Sequence, residues 1–232
     1  MSISVVTWVR HARDFVSWDY LRDRLDIAFL AAAVSRTLYE IRNPLTPWIN
    51  PEMVAVLENV LKPGDEGFEF GSGTSTIWLG QRVRRIHSVE HDTAWAGKVQ
   101  GMIEEHGLAG KVELIRVAHG DEGTGEGKEA YVAPLRRVPS ESLDFCFVDG
   151  LFRDVCIEES IRVLRRGGVL ILDNADTYFP KNRVSRSVRY KRDNFSQAVS
   201  RGLMETIWSE LAGWRCVWTT TPIQDTALWI KP

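Results

Sequence analysis

Apolar residues recur at two different periods along this chain, and the changes of period divide it into elements. Over residues 15–42, Leu21, Leu25, Ala28 and Ala32 fall at helical spacing, which predicts one or two helices ahead of the main domain. Asn50-Pro51-Glu52 combines a capping side chain, a first-turn proline and an acid near the positive helix end. The helix it starts is expected to run to Leu61 and stop at Pro63-Gly64. From there short β-rich runs alternate with helix-period segments. Strands are expected at 67–70, 85–90, 111–117, 143–148 and 169–172, and helices at 75–82, 94–106 and 153–165. The third strand leads into a long polar loop containing GDEGTGEGKE. Such alternation indicates an α/β fold with a parallel sheet covered by helices on both faces.

The rhythm breaks after the fifth strand. Residues 173–202 are polar and rich in arginine, and a last helix is expected near 203–211. Two β-rich runs, WRCVWTTT and TALWIK, end the sequence, joined by a few residues around Pro222-Ile223-Gln224-Asp225. So short a link holds no crossover helix, so the last strand turns back antiparallel.

Composition narrows the class without naming a function. In 232 residues, 44% hydrophobic and 26% charged, there is material for a sizeable core. The 29 basic and 31 acidic residues leave a net charge of −2, which argues against nucleic acid and anionic membrane as partners. Cys146, Cys156 and Cys216 are odd in number and widely spaced, so neither a disulfide framework nor a zinc site is expected, and a reducing cytoplasm is the expected compartment. The opening MSISVVTWVRHARD carries charge too early for a signal-peptide core. The longest apolar run, 27–34, falls short of the roughly 20 residues that span a bilayer.

Candidate chemistry gathers at the carboxyl ends of the expected strands. Gly71-Ser72-Gly73 follows the first strand, but Thr74-Ser75-Thr76 stands where a dinucleotide fingerprint needs its third glycine. No lysine follows as a P-loop requires. Glu69 ends the first strand, and Glu90 ends the second, nineteen residues after Gly71, where a carboxylate can accept both ribose hydroxyl protons. Glycines without a phosphate-binding lysine, together with a ribose-binding acid, suit a nucleoside without phosphate.

EFGSGTST, SVEHD, DFCFVDG and LRRGGVLILDNAD, in that order, resemble the successive motifs of the class I S-adenosylmethionine-dependent methyltransferases, from about Pro63 to the C-terminus. The resemblance implies a Rossmann-like, seven-stranded, mostly parallel sheet with an antiparallel last strand. Residues 51–232 would form that domain, and residues 1–50 a helical extension preceding it. It further implies that Glu69, Gly71, Ser72, Gly73 and Ser75 form the S-adenosylmethionine loop, that Glu90 binds ribose with His91 or a nearby apolar group flanking adenine, and that Asp121 contacts the adenine amine.

Asp149 ends the fourth strand, and Asp173-Asn174 ends the fifth. Strands about 4.8 Å apart are expected to bring these oxygens together over the reacting methyl. Two aspartates and an asparagine are hard ligands suited to Mg²⁺. The set is similar to the metal triad of catechol and caffeoyl-coenzyme A O-methyltransferases, which implies O-methylation of a small molecule. Those families carry a lysine base three residues after the first aspartate; here that position is Phe152, and Arg153 follows, a side chain that stays protonated. Two readings therefore stand side by side: an ion held by Asp149, Asp173 and Asn174, or Asp149 acting alone as base or anchor.

Other residues carry weaker signals. His87 and Cys146 lie inside strands and read as structural, His119 follows the third strand and is a candidate for the cleft, and Trp78 and Trp95 read as packing residues on helix faces. Trp18 and Trp48 precede the main domain, placed to cover an acceptor. Lys181, Arg183, Arg186, Arg189, Lys191 and Arg192 form a basic segment that would hold an anionic group of the acceptor, bind RNA, or be solvated surface. Rival functions are an NAD-dependent oxidoreductase and a non-catalytic S-adenosylmethionine-binding module; a homo-oligomer stays open.

Overall fold

A computed structural model describes residues 27–117, 125–179, 184–187 and 200–232. In chain order they form α1 (Ile27–Arg42), α2 (Pro51–Val60), β1 (Glu66–Phe70), α3 (Thr74–Arg82), β2 (Arg85–Glu90), α4 (Thr93–Glu105), β3 (Val112–Arg116), α5 (Gly125–Arg136), β4 (Leu143–Val148), α6 (Arg153–Val163), β5 (Leu164–Asp173), α7 (Ala175–Tyr178), α8 (Arg201–Leu211), β6 (Arg215–Thr220) and β7 (Asp225–Ile230). The strands make one seven-stranded sheet in the order β3-β2-β1-β4-β5-β7-β6. β1 to β5 pair in parallel, and β7 runs antiparallel to both β5 and β6. The terminal hairpin thus inserts its second strand beside β5 and leaves β6 at the edge. Among the described residues no helix is long and apolar enough to cross a membrane.

Side chains alternate across the sheet and fill two cores. Phe145, Phe147, Val169 and Ile171 face α2, α3 and α4, packing with Met53, Leu57, Trp78, Val99 and Ile103. Cys146, Val148, Leu170 and Leu172 face the other way, toward Tyr131 and Leu135 of α5, Ile157 of α6 and Met204 of α8. Cys146 and Cys156 are fully buried in that second core, as a small apolar reading of Cys146 expects.

Two expectations are corrected. The loop expected around GDEGTGEGKE is helical from Gly125 onward, because Tyr131, Val132 and Leu135 place one fully buried face against the sheet. Glycines at its start and Pro134 inside it disguise that helix, since both residues weaken helix propensity. β5 begins at Leu164, not at Val169, because Gly167 (φ +75°) and Gly168 still pair: Gly167 N–H donates to Lys231 O and Lys231 N–H to Gly168 O, each at 2.9 Å.

The chain leaves β3 at one edge and returns at β4, beside β1, so β1 and β4 flank the point where strand order reverses. Open α/β sheets form their crevice there. Gly67 shows how tightly these strands fit: an added Cβ would lie 2.2 Å from Cζ of the buried Phe145 ring. Gly67→Ala is expected to cost about 1–3 kcal/mol of stability by overpacking, read as a lowered midpoint in urea unfolding. Gly64→Ala, where a Cβ meets nothing within 4 Å, is the control and should leave the midpoint close to that of the unaltered protein. Equal midpoints for the two variants would refute this account of the β1–β4 contact.

Candidate active site

β1 ends in a turn that only glycine can make. Gly71 has φ +91°, and a Cβ there would stand 2.9 Å from both Cα and N of Gly150, across on the β4 loop. A Cβ on Gly150 would in turn meet the Tyr131 hydroxyl at 2.0 Å. Asp149 N–H donates to Phe70 O at 2.9 Å, so the two loops are joined at the level where Asp149 emerges. Gly73 differs. Its backbone is extended, and a Cβ would approach only Trp95 Cζ2, at 3.9 Å. The protein's own packing does not require a glycine there, which leaves that face of the loop open to the cleft.

The loop rests on a buried carboxylate. Glu69, fully enclosed, accepts hydrogen bonds from the hydroxyls of Ser75, Thr76 and Ser88, each at 2.5 Å, tying the start of α3 to β2. Ser72 Oγ lies 2.6 Å from Ser88 Oγ and extends the chain of hydroxyls. The loop amides are also taken. Gly71 N–H donates to Val89 O (2.9 Å), Ser72 N–H to Glu90 Oε2 (3.1 Å) and Gly73 N–H to Thr76 Oγ1 (2.9 Å). In a phosphate-binding loop such amides point at the ligand; here all three are satisfied within the protein.

Above the loop lies a cleft of about 520 Å³, lined by Trp48, residues 71–75, Glu90, His91, Asp92, Trp95, Asp149, Gly150, Leu151 and Arg153. That is the size of a small-molecule pocket. Three carboxylates and one guanidinium border it, with no lysine among the lining residues. Glu90 is held from behind, its Oε1 accepting the amides of His91 and Asp92, each at 2.8 Å. Among the described residues Oε2 takes only Ser72 N–H, which leaves it lone pairs to spare. Trp95 is more than packing: its indole N–H donates to Ser72 O at 2.7 Å, fixing the loop while its ring lines the cleft.

One end of the cleft is built by Asp149 and Arg153. Arg153, the first residue of α6, donates from Nη2 to Asp149 Oδ1 (2.8 Å) and Asp149 O (2.9 Å), from Nε to Gly150 O (2.9 Å), and from Nη1 to Asp173 O. Burial and the neighbouring Asp173 carboxylate push Asp149 above the ordinary carboxylate range, and Arg153 pulls the other way. Asp173 is raised too, chiefly by burial. Its Oδ1 turns toward the hairpin, accepting from Thr226 Oγ1 (2.8 Å) and Gln224 Nε2 (3.1 Å). Asn174 opens α7 in the left-handed conformation, φ 51°.

The structure therefore gathers Gly71, Ser72, Gly73, Ser75, Glu90, His91 and Asp149 around one cleft. Glu69 lies beneath it, and Asp173 faces β7. Asp121, His119 and Trp18 lie outside the described residues, as do all the basic residues of 181–192 except Arg186, whose backbone N–H donates to Thr220 Oγ1 at 2.6 Å. His87 sits in β2 between Glu113 (2.9 Å) and Glu66 (3.5 Å), away from the cleft lining. Trp95, Leu151 and Arg153 are lining residues that sequence reasoning did not assign; only the position of Arg153 beside Asp149 offered a signal.

Burial pushes Glu69 up to about 7, against the pull of its three hydroxyl donors. A carboxyl raised in the folded state from 4.5 contributes its full stability below its unfolded pKa and loses it as pH climbs through the folded value. Ionisation of Glu69 thus costs up to about 3 kcal/mol above neutrality. Glu69→Gln should gain stability relative to the unaltered protein between pH 5 and pH 8, measured by urea unfolding at both. Parallel pH profiles would show that Glu69 is not the group responsible.

Residues 68–175 match the family model of a methyltransferase domain, a segment that carries the glycine loop, Glu90 and Asp149. The O-methyltransferase of Bacillus cereus, solved with S-adenosylhomocysteine, is similar at a TM-score of 0.54 over 92% of this chain and 96% of its own, with 16% identity. The O-methyltransferase TomG of Streptomyces achromogenes, involved in tomaymycin synthesis and solved with S-adenosylmethionine, gives 0.53 over 90% and 92%, with 19% identity. No curated protein matches the chain. Those likenesses carry the fold, and the segment that resembles a methyltransferase domain is the one that builds the cleft.

Proposed function

We propose that this protein transfers a methyl group from S-adenosylmethionine to an oxygen of a small-molecule acceptor. The observation that carries the reading is the glycine loop, whose three successive amides are spent inside the protein under an acid-lined cleft. Such a site disfavours the pyrophosphate of a dinucleotide and suits a cationic nucleoside. Glu90 accepts the ribose hydroxyls, His91 flanks the adenine, and Ser72, Gly73 and Ser75 border the ligand while Glu69 holds their loop in shape. Trp48 covers the acceptor side.

The sulfonium supplies an activated methyl: the methyl–sulfur bond breaks with its electron pair left on sulfur as the methyl–oxygen bond forms. Asp149 removes the acceptor hydroxyl proton, its raised pKa suiting it to hold that proton. The set Asp149, Asp173 and Asn174 does not fit a divalent ion. Asp149 Oδ1 is paired with a guanidinium, and Asp173 Oδ1 is occupied by Thr226 and Gln224.

Calorimetry tests the ligand. S-adenosylhomocysteine should bind, and Glu90→Ala should weaken it by roughly 1.5–3 kcal/mol through loss of a charge-assisted acceptor. Gly73→Ala should keep its stability yet lose affinity, because the space a Cβ enters belongs to the ligand. Tighter binding of NAD than of either sulfur nucleoside would overturn the assignment, and binding without methyl transfer to a metabolite extract would leave a non-catalytic module.

Asp149→Asn keeps the shape and the Arg153 contact but cannot take a proton. It should lower kcat about 10²–10⁴-fold and leave S-adenosylhomocysteine affinity nearly unchanged. In the unaltered enzyme, kcat/KM should rise with pH as Asp149 ionises, with its midpoint above the ordinary carboxylate range. Full turnover in the asparagine variant would exclude Asp149 as the base.

A further inference from the structure

Arg153 breaks a local rule. A cation in the first turn of a helix faces the positive end of the peptide dipoles, where acids are favoured. Phe152, which precedes it, is held in the left-handed region at φ 47°, a conformation that costs a bulky side chain free energy. Violations of this kind persist where the surroundings over-determine them. Here four acceptors do so: the backbone carbonyls of Asp149, Gly150 and Asp173 and the carboxylate of Asp149. The guanidinium bridges the carboxyl ends of β4 and β5, the place where a metal linking Asp149 to Asp173 would have to act.

The second acid is balanced separately. Gln224 Nε2 donates to Asp173 Oδ1 while its Oε1 accepts from Arg36 of α1, so a second guanidinium reaches Asp173 through one amide. Arg36 also pairs with Glu40 at 2.7 Å and donates to Trp48 O at 2.8 Å, which fixes its position. Asp149 Oδ2, by contrast, has no hydrogen-bond partner among the described residues, and Asp149 lines the cleft. Arg153 therefore holds one oxygen of Asp149 and leaves the other for the acceptor.

We propose that Arg153 supplies the fixed positive charge of the acceptor site in place of a divalent ion, so that turnover needs no metal and the acidic pair binds one only when the guanidinium is removed. Arg153 is a positioning residue: it aims Asp149 and stays charged at every working pH. The assignment of Asp149 to the acceptor rests on the methyl-transfer reading; the exclusion of the ion rests on the guanidinium at Asp149, with the occupied Oδ1 of Asp173 beside it.

The experiment uses protein dialysed against a chelator and titrated with Mn²⁺, followed by electron paramagnetic resonance. The unaltered protein should show no stoichiometric uptake, and its turnover should be the same with chelator or with Mg²⁺. Arg153→Met leaves the two acids without their shared cation and should bind Mn²⁺ about tenfold or more tightly than the unaltered protein. Adding Asp149→Asn should abolish that gain. Arg153→Lys keeps a charge without the planar fork; it should still exclude Mn²⁺ but raise the acceptor KM while sparing S-adenosylhomocysteine affinity. If Arg153→Met does not fold, the lysine variant and the unaltered protein still decide the matter. One-to-one Mn²⁺ binding by the unaltered protein that disappears in Asp149→Asn, or turnover lost to chelator and restored by Mg²⁺, would overturn the proposal. Failure of the methyl-transfer reading would show instead as absent nucleoside binding, while the Mn²⁺ titration would still report on the charge.

Discussion

Gly71 and Gly150 approach each other so closely that a single methyl on either would collide with backbone or with the Tyr131 hydroxyl. That contact joins the turn after β1 to the turn after β4, and the Asp149–Phe70 hydrogen bond locks it. Everything the site needs is measured from this point. On one side the chain runs through Ser72 and Gly73 into α3; on the other it presents Asp149 and then Arg153 at the head of α6. Because the two strands are neighbours only through the reversal of strand order, the crevice and its residues arise together.

Around that joint the protein spends polar groups on holding shape. Glu69 is a charge-capable side chain on an apolar face, tolerated because three hydroxyls converge on it. Glu90 works the same way at the end of β2, its carboxylate gathered by three backbone amides and so fixed in place at the cleft. Preorganisation of this kind lets a site bind without first paying to order its own side chains.

Charge balance reaches beyond the sheet. Asp149 is answered by Arg153 within α6, whereas Asp173 is reached from α1 through Gln224. Trp48, on the segment between α1 and α2, lines the same cleft, and Thr46 O accepts from the Thr74 hydroxyl at 3.0 Å. The helix that precedes the main sheet is thereby wired to both ends of the site.

Much of this was legible in one dimension. Strands were legible as short β-rich runs between helical segments, β2 and β4 matching residue for residue, and the hairpin followed from a linker too short to cross over. The glycine pair, Glu90 and Asp149 could be read because each sits at a strand end, and strand ends share one edge in a parallel sheet. Helix α5 was hidden because its glycines and Pro134 lower local propensity, while the burial of Tyr131 and Leu135 that stabilises it is a tertiary quantity. Spacing likewise located Asp173 but not the direction of its carboxylate, which β7 decides by offering Thr226 across a pairing fifty-three residues away. The same holds for Arg153: four residues after Asp149 it is one more charged residue in the sequence, and only the convergence of carbonyls from the turn after β4 and the end of β5 fixes its guanidinium at the cleft. Sequence determined which groups stand at the edge of the sheet, because alternation and strand length are local; tertiary structure decided which of them face one another, because hydrogen bonds and charges are satisfied across the chain.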